Sequence, residues 1–209
     1  MSPFVMAGSR FDPPRSVSRF LAITFAMVCL ISLSGCWVTS LNSLYEVGKD
    51  PDVVVENRLV GAWSFTDDDQ CVTTVTFALK DQGYSVRSIQ EGEKCGEPGI
   101  AKLQEAKLVK LGEHEFLDVS PRSEDVCDAC LAKHEIYMAK ISEDELEMIP
   151  INWDWLNSAI ESKTVELSTL KDDTDTLTAS SKELKAFCRQ YADDEQVFSP
   201  EGLMFRKNE

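Results

Sequence analysis

Beyond residue 58, apolar and polar positions alternate mainly with a period of two. Between Cys71 and Leu79, the residues Cys71, Thr73, Val75, Phe77 and Leu79 fall on one face and Val72, Thr74, Thr76 and Ala78 on the other, with β-branched side chains on both. Such alternation is what a strand produces when successive side chains leave its backbone on opposite sides. The same pattern predicts strands over Leu59–Thr66, Cys71–Lys80, Tyr84–Gln90, Ala101–Leu111, Glu115–Ser120, Glu135–Ile141, Glu145–Ile151 and Leu203–Lys207, punctuated by Gly83, Gly96, Gly99, Gly112 and the cluster 142–144. Short strands joined by turns run antiparallel to their neighbours. Closing the sheet on itself removes its two unpaired edges, which favours a barrel over an open sheet.

The period changes twice. In Trp153–Ser162, behind an Asn152 cap, Trp155, Leu156, Ala159 and Ile160 share one helical face. Ser180 with Glu183 three residues later forms a capping box, after which Leu184, Phe187, Cys188 and Tyr191 recur at helical spacing. Between the two helices, Val165–Leu170 reads as a short strand and Asp172–Thr176 as a linker. The expected fold is all-β dominated, an antiparallel barrel of about eight strands with two short helices.

The first thirty-five residues follow different rules. Arg10, Arg15 and Arg19 precede an uncharged apolar run from Phe20 to Leu33, too short to span a bilayer, which takes about twenty residues. It reads as the h-region of an export signal. Leu33-Ser34-Gly35-Cys36 then resembles the lipobox of bacterial lipoproteins, which implies cleavage before Cys36 and diacylglyceryl and acyl lipid on its thiol. The expected organisation is a lipoprotein signal peptide over 1–35, a lipidated tether over 36–52 and a single barrel domain over 53–209. The tether, WVTSLNSLYEVGKDPD after Cys36, is polar and ends in a turn signal; stretched out it would reach roughly 50 Å, although Leu44 and Tyr45 could dock on the domain.

Charge narrows the partners. The whole chain has net charge −15, and residues 1–35 hold three Arg and one Asp, so the remainder carries 18 Lys+Arg against 35 Asp+Glu, a net of −17. With no basic stripe to offset that acidity, nucleic acid is not an expected partner.

Leu59-Val60-Gly61-Ala62-Trp63 opens the first strand, and this GxW at the start of a barrel resembles lipocalins and related calycins. The resemblance implies a lipocalin-like barrel with Gly61 allowing a tight approach, Trp63 plugging the floor and an arginine from the closing strand, here Arg206, lying across the indole. A second resemblance covers most of the chain after Cys36. CWVTSLNSLY, LVGAW, LVKLGEHEFLDVSP, NWDWL and LTASSKELKAF are similar to a group of small bacterial lipoproteins with no assigned activity. It implies an envelope location, and Trp37 in place of an aspartate after Cys36 points to the outer membrane, facing the periplasm.

In an exported domain, disulfides are the default for Cys71, Cys95, Cys127 and Cys130. Cys127 and Cys130 could close a small ring and Cys71 could reach Cys95, but spacing leaves the connectivity open. A four-thiolate zinc site from the same residues is the alternative, though one CxxC and two isolated cysteines lack paired-knuckle spacing. Cys188, on an apolar helix face, reads as a buried hydrophobe. His114 and His134, flanked by charges, read as solvated surface residues, and no GxSxG, HExxH or P-loop accompanies them. Asp67, Asp68 and Asp69 suit an acidic turn; Asp172, Asp173 and Asp175 lack the glycine and distal glutamate of a calcium loop. The expectation is therefore a protein that is not an enzyme and carries no metal or cofactor beyond its lipid. It would hold a small apolar or amphipathic ligand in the barrel or, alternatively, bind another envelope protein through its surface.

Overall fold

The computed structural model describes residues 37–208 except 97, 127–129, 172 and 199–201. Eight strands form the barrel: β3 (Gly61–Thr66), β4 (Val72–Lys80), β5 (Gly83–Glu91), β6 (Lys102–Leu111), β7 (His114–Pro121), β8 (His134–Ile141), β9 (Glu145–Pro150) and β12 (Leu203–Lys207). Each is antiparallel to its neighbours, and the ring runs β3 to β9 in sequence order, then through β12 back to β3. The result is a closed, lipocalin-like barrel with two short helices, α1 (Trp153–Glu161) and α2 (Ser181–Tyr191). The Asn152 side chain accepts from the Trp155 N–H to cap α1, and Ser180 and Glu183 complete both halves of the capping box of α2.

Alternation now has physical content, because closure gives every strand an inside and an outside. Trp63, Phe77, Tyr84, Leu108, Leu117, Leu146 and Phe205 point inward and form one core. On β6 to β9 the opposite positions are apolar as well: Val109, Leu111, Phe116, Ile136, Met138 and Ile149 form a second core on the outer wall, beneath Leu156 of α1 and Leu184, Phe187 and Cys188 of α2. Elsewhere the outer wall carries Thr74, Thr76 and Arg87, none of them in either core.

The short strands outside the ring are β1 (Thr39–Ser40), β2 (Val53–Val54), β10 (Thr169–Leu170) and β11 (Asp173–Leu177). The first of them corrects the expectation of a free tether over 36–52. Rather than extending from the domain, residues 37–52 form a strap along the outer wall, and the chain then passes through β2 to the barrel floor. β1 is antiparallel to β8 and parallel to β11, Leu44 is completely buried in the outer core, and β2 pairs with β6. The segment expected as a linker, 172–176, is mostly strand β11; residue 172 itself lies outside the described residues. Of Val165–Leu170 only β10 is strand, with Val165 and Leu167 buried in the outer core. The proposed signal over 1–35 and Cys36 lie outside the described residues.

Charge holds the lower strap. The Lys185 ammonium on α2 donates to both oxygens of buried Asp50, at 2.8 and 2.7 Å, and to Asp52 at 2.7 Å. Burial alone would raise the Asp50 carboxyl, but hydrogen bonds from Lys185 and from the N–H groups of Glu46 and Asp52 outweigh it and hold the group below the usual carboxylate range. Lys185, penalised by burial, is nonetheless raised by Asp50 and Asp52. A depressed carboxylate contributes stability above its ordinary value near 4, lost as pH falls through the folded value; a raised ammonium contributes below about 10.4, lost as pH rises through its folded value. The pair therefore stabilises the strap across the neutral range. Lys185→Ala, which strands Asp50 without its partner, is expected to cost about 3 kcal/mol in urea unfolding at pH 7, with a smaller difference from wild type at pH 3.

Candidate functional site

The floor of the barrel is built around Trp63. Its ring is fully buried, and Nε1–H donates to the Leu59 carbonyl at 2.8 Å across a single 3-10 turn, Asn57–Leu59. Gly61 sits at φ +131°, where a Cβ would meet the Lys207 Cε at 3.2 Å, so backbone shape and space both favour glycine. The cation over the indole is Lys207, whose Nζ lies 5.0 Å from the ring centroid and donates to the Arg58 carbonyl. This corrects the role expected of Arg206. In the β12–β3 register Lys207 faces Trp63 and Arg206 faces Ser64, so Arg206 projects outside, 80% exposed, toward Glu145.

Above the floor the interior is occupied by protein. Leu59, Phe77, Tyr84, Leu108, Leu117 and Leu146 are essentially inaccessible, and Phe77 and Tyr84 meet edge to face. The Tyr84 hydroxyl accepts from the Glu56 N–H and donates to the Glu56 carbonyl, so its polar end is satisfied. An eight-stranded barrel is narrow enough for side chains to fill it, and over these levels they do.

The opposite end, the mouth, carries the connections β3–β4, β5–β6 and β7–β8. Cys71 and Cys95 form a disulfide that ties the first two together. Cys130 is also disulfide-bonded, and Cys127 lies outside the described residues. Oxidised sulfurs cannot act as thiolate ligands, which removes the four-cysteine zinc alternative. Polar and apolar residues mix here: Thr73, Ser88, Gln90 and Lys102, with Ile89 and Ile100, line a cleft of about 140 Å³. The Tyr137 hydroxyl donates to Glu135 at 2.6 Å, its proton held well above the usual phenol range by burial and then by the Glu135 charge. Trp37 packs edge-on against the Tyr137 ring, 5.8 Å between centroids.

On the outer wall, beneath the strap, Asp118 of β7 pairs with His134 of β8, which sequence reasoning placed in solvent. The His134 side chain is 14% exposed and Asp118 1%, with 2.6 Å between Nδ1 and Oδ1. Since a carboxylate only accepts, Nδ1 carries the proton. The second Asp118 oxygen accepts from the Leu44 N–H, also at 2.6 Å. One carboxylate oxygen thus fixes the strap and the other holds the His134 ring, and among the described residues no serine, threonine or cysteine side chain bonds His134. His114 matches the surface reading better: it is partly exposed and pairs with the exposed Asp193. Burial, then the charge of Asp118, pushes the Cys188 thiol far above its ordinary value, leaving it an inert hydrophobe.

A surface groove of about 300 Å³ lies along α2, lined by Val165, Leu167, Phe187 and Tyr191 with Glu166 and Glu183 at its rim. Among the described residues, no helix is long and apolar enough to cross a membrane, and no three His, Cys, Asp or Glu side chains are grouped to hold a metal ion. No family model, curated protein or solved structure matches the chain.

Two substitutions probe these features. Asp118→Ala leaves the Leu44 N–H and the His134 ring without a buried partner, and is expected to destabilise by about 2–3 kcal/mol in chemical denaturation. Replacing Cys71 and Cys95 together by alanine releases a loop closed over 24 residues and should cost about 3 kcal/mol, measured as a lower Tm with the barrel circular dichroism retained.

Proposed function

We propose that this chain is an envelope-anchored bacterial lipoprotein, acylated on Cys36 after loss of residues 1–35, whose barrel is a non-catalytic scaffold that binds another envelope protein through its outer surface. The observation that carries the surface reading is the filled interior. Between the floor at Trp63 and the level of Leu117, the space a ligand would need is taken by buried side chains. The anchor reading rests on the apolar run ending at Leu33-Ser34-Gly35-Cys36 and on the resemblance to small lipoproteins. Trp37 after Cys36 favours the outer membrane, facing the periplasm, as the destination.

Outside the barrel, the groove along α2 offers apolar side chains with an acidic rim, the composition of a modest protein-binding patch. The second reading, a small apolar or amphipathic ligand, has the mouth cleft in its favour; there Ile89 and Ile100 share the lining with Thr73, Ser88, Gln90 and Lys102 and the volume is about 140 Å³, so only a small guest fits.

Two measurements test these readings. Cells fed radioactive palmitate should label the wild-type protein and not Cys36→Ala; a wild-type protein that takes no label removes the anchor. The domain purified from its own host should give a native mass spectrum with no bound small molecule. A reproducible adduct of constant mass would replace the scaffold reading with the ligand reading.

A further inference from the structure

We infer that the groove along α2 takes up an extended segment of a partner protein, which adds to the open sheet edge running into β10, seats one large apolar side chain on Phe187 and Tyr191, and sets flanking Lys or Arg against Glu166 and Glu183. The inference rests on the surface-binding reading and adds to it the place and the chemistry of the partner.

Backbone geometry makes the segment extended. From Val165 to Ser168 burial alternates residue by residue, with Val165 and Leu167 in the outer core and Glu166 and Ser168 exposed, the way a strand divides its side chains. The Thr178 N–H, at the end of β11, donates to the Ser168 carbonyl at 2.7 Å. In an antiparallel pair, the residues on either side of such a bonded position turn their N–H and C=O the other way, so Leu167 and Thr169 direct theirs away from β11. β10 ends the sheet, and among the described residues no strand pairs on that side. Leu167 makes no backbone hydrogen bond among the described residues, and it also lines the groove. An edge of this kind bonds an added strand through its main chain.

Side chains decide what the segment must carry. Val165, Leu167, Phe187 and the half-buried Tyr191 supply an apolar bed, and about 300 Å³, the volume of roughly ten liquid waters, admits a side chain or two and no folded element. Glu166 and Glu183 line the groove with exposed carboxylates, and no Lys or Arg lines it. The nearest cations in sequence, Lys163 and Lys182, lie outside the lining. Hydrogen bonds from the Ser180 hydroxyl and N–H hold the Glu183 carboxyl below the usual range, with Lys182 adding to the effect. Among the described residues neither carboxylate is neutralised by an ion pair. Toward the far end, Arg189 is held by Asp52, and the carbonyl pole of α2 is followed at once by exposed Asp193 and Glu195. The groove therefore complements a cationic segment and repels an acidic one.

The probe is a short dye-labelled peptide alternating valine and lysine around a central phenylalanine, titrated against the full chain purified from a bacterial host and read by fluorescence anisotropy. The same peptide with glutamate for lysine, or with alanine for phenylalanine, should bind at least about tenfold more weakly. Methylating its alternate amides should remove binding as well, since a strand without N–H donors cannot join the edge. Glu166→Lys reverses an exposed charge and should weaken the lysine peptide about fivefold or more. Ala186→Arg, at an exposed helical position, fills the groove and should remove most of the binding at an unchanged urea midpoint. No binding, equal affinity for the lysine and glutamate peptides, or affinity untouched by Glu166→Lys and Ala186→Arg overturns the docking. Photo-crosslinking residues placed at Ala186 or, on the barrel wall, at Arg87 then separate the two readings in the native host. Links to an envelope protein from Arg87 and none from Ala186 overturn the groove and leave surface binding standing; links from neither overturn both.

Discussion

Closure of the eight-stranded ring is the constraint on which everything else in the fold depends. Where β9 bonds β8 on one side and β12 on the other, the sheet loses its edges and each strand acquires an inner and an outer surface. On β4 and β5 the inner surface carries the buried residues, Phe77, Tyr84 and Val86 toward the floor, and turns polar at Thr73, Ser88 and Gln90 toward the mouth. Strands β7, β8 and β9 are buried on both surfaces, and their sequences approach continuous apolar runs: FLDV, IYMA, LEMIPI. The two cores share these strands as a common wall. A residue lost from one side is felt on the other, because close-packed interiors transmit strain.

That division also explains what could be read from the sequence. The ring strands were legible within one or two residues because period-two alternation, turn glycines and β-branched residues all agreed. The strap was not. Its strand contact is two residues long, too brief for any period, and its strongest tie joins Asp50 to Lys185 across 135 positions. Asp50-Pro51-Asp52 announces a turn, and nothing local reveals that the turn is clamped to a helix. His134 misled for a similar reason: Lys133 and Glu135 suggest solvent, while the partner that buries it, Asp118, sits on the neighbouring strand. Arg206 and Lys207 are adjacent cations, and only the register decides which faces the indole; a shift of one residue exchanges inside for outside.

Buried charges are few and each is committed: Asp118 to the strap and His134, Asp50 to Lys185, with no buried side-chain polar atom among the described residues lacking a partner. Cys188, the free thiol among the described residues, is sealed between α2 and the outer wall and cannot exchange with the disulfide at the mouth while the domain is folded.

The two-residue β1 has a consequence for where this domain truly begins. It fills a slot between β8 and β11, satisfying backbone groups on both, and Leu44 follows it as a plug in the outer core. A shortened protein starting at Val53, the boundary that composition suggests, would keep its ring but open that slot to water. The vacated seat is shaped to accept a strand, and the nearest supply is the matching segment of another molecule or any exposed edge. Truncation at the apparent domain boundary would thus open a seat that invites self-association, whereas a start at Trp37 would keep it filled.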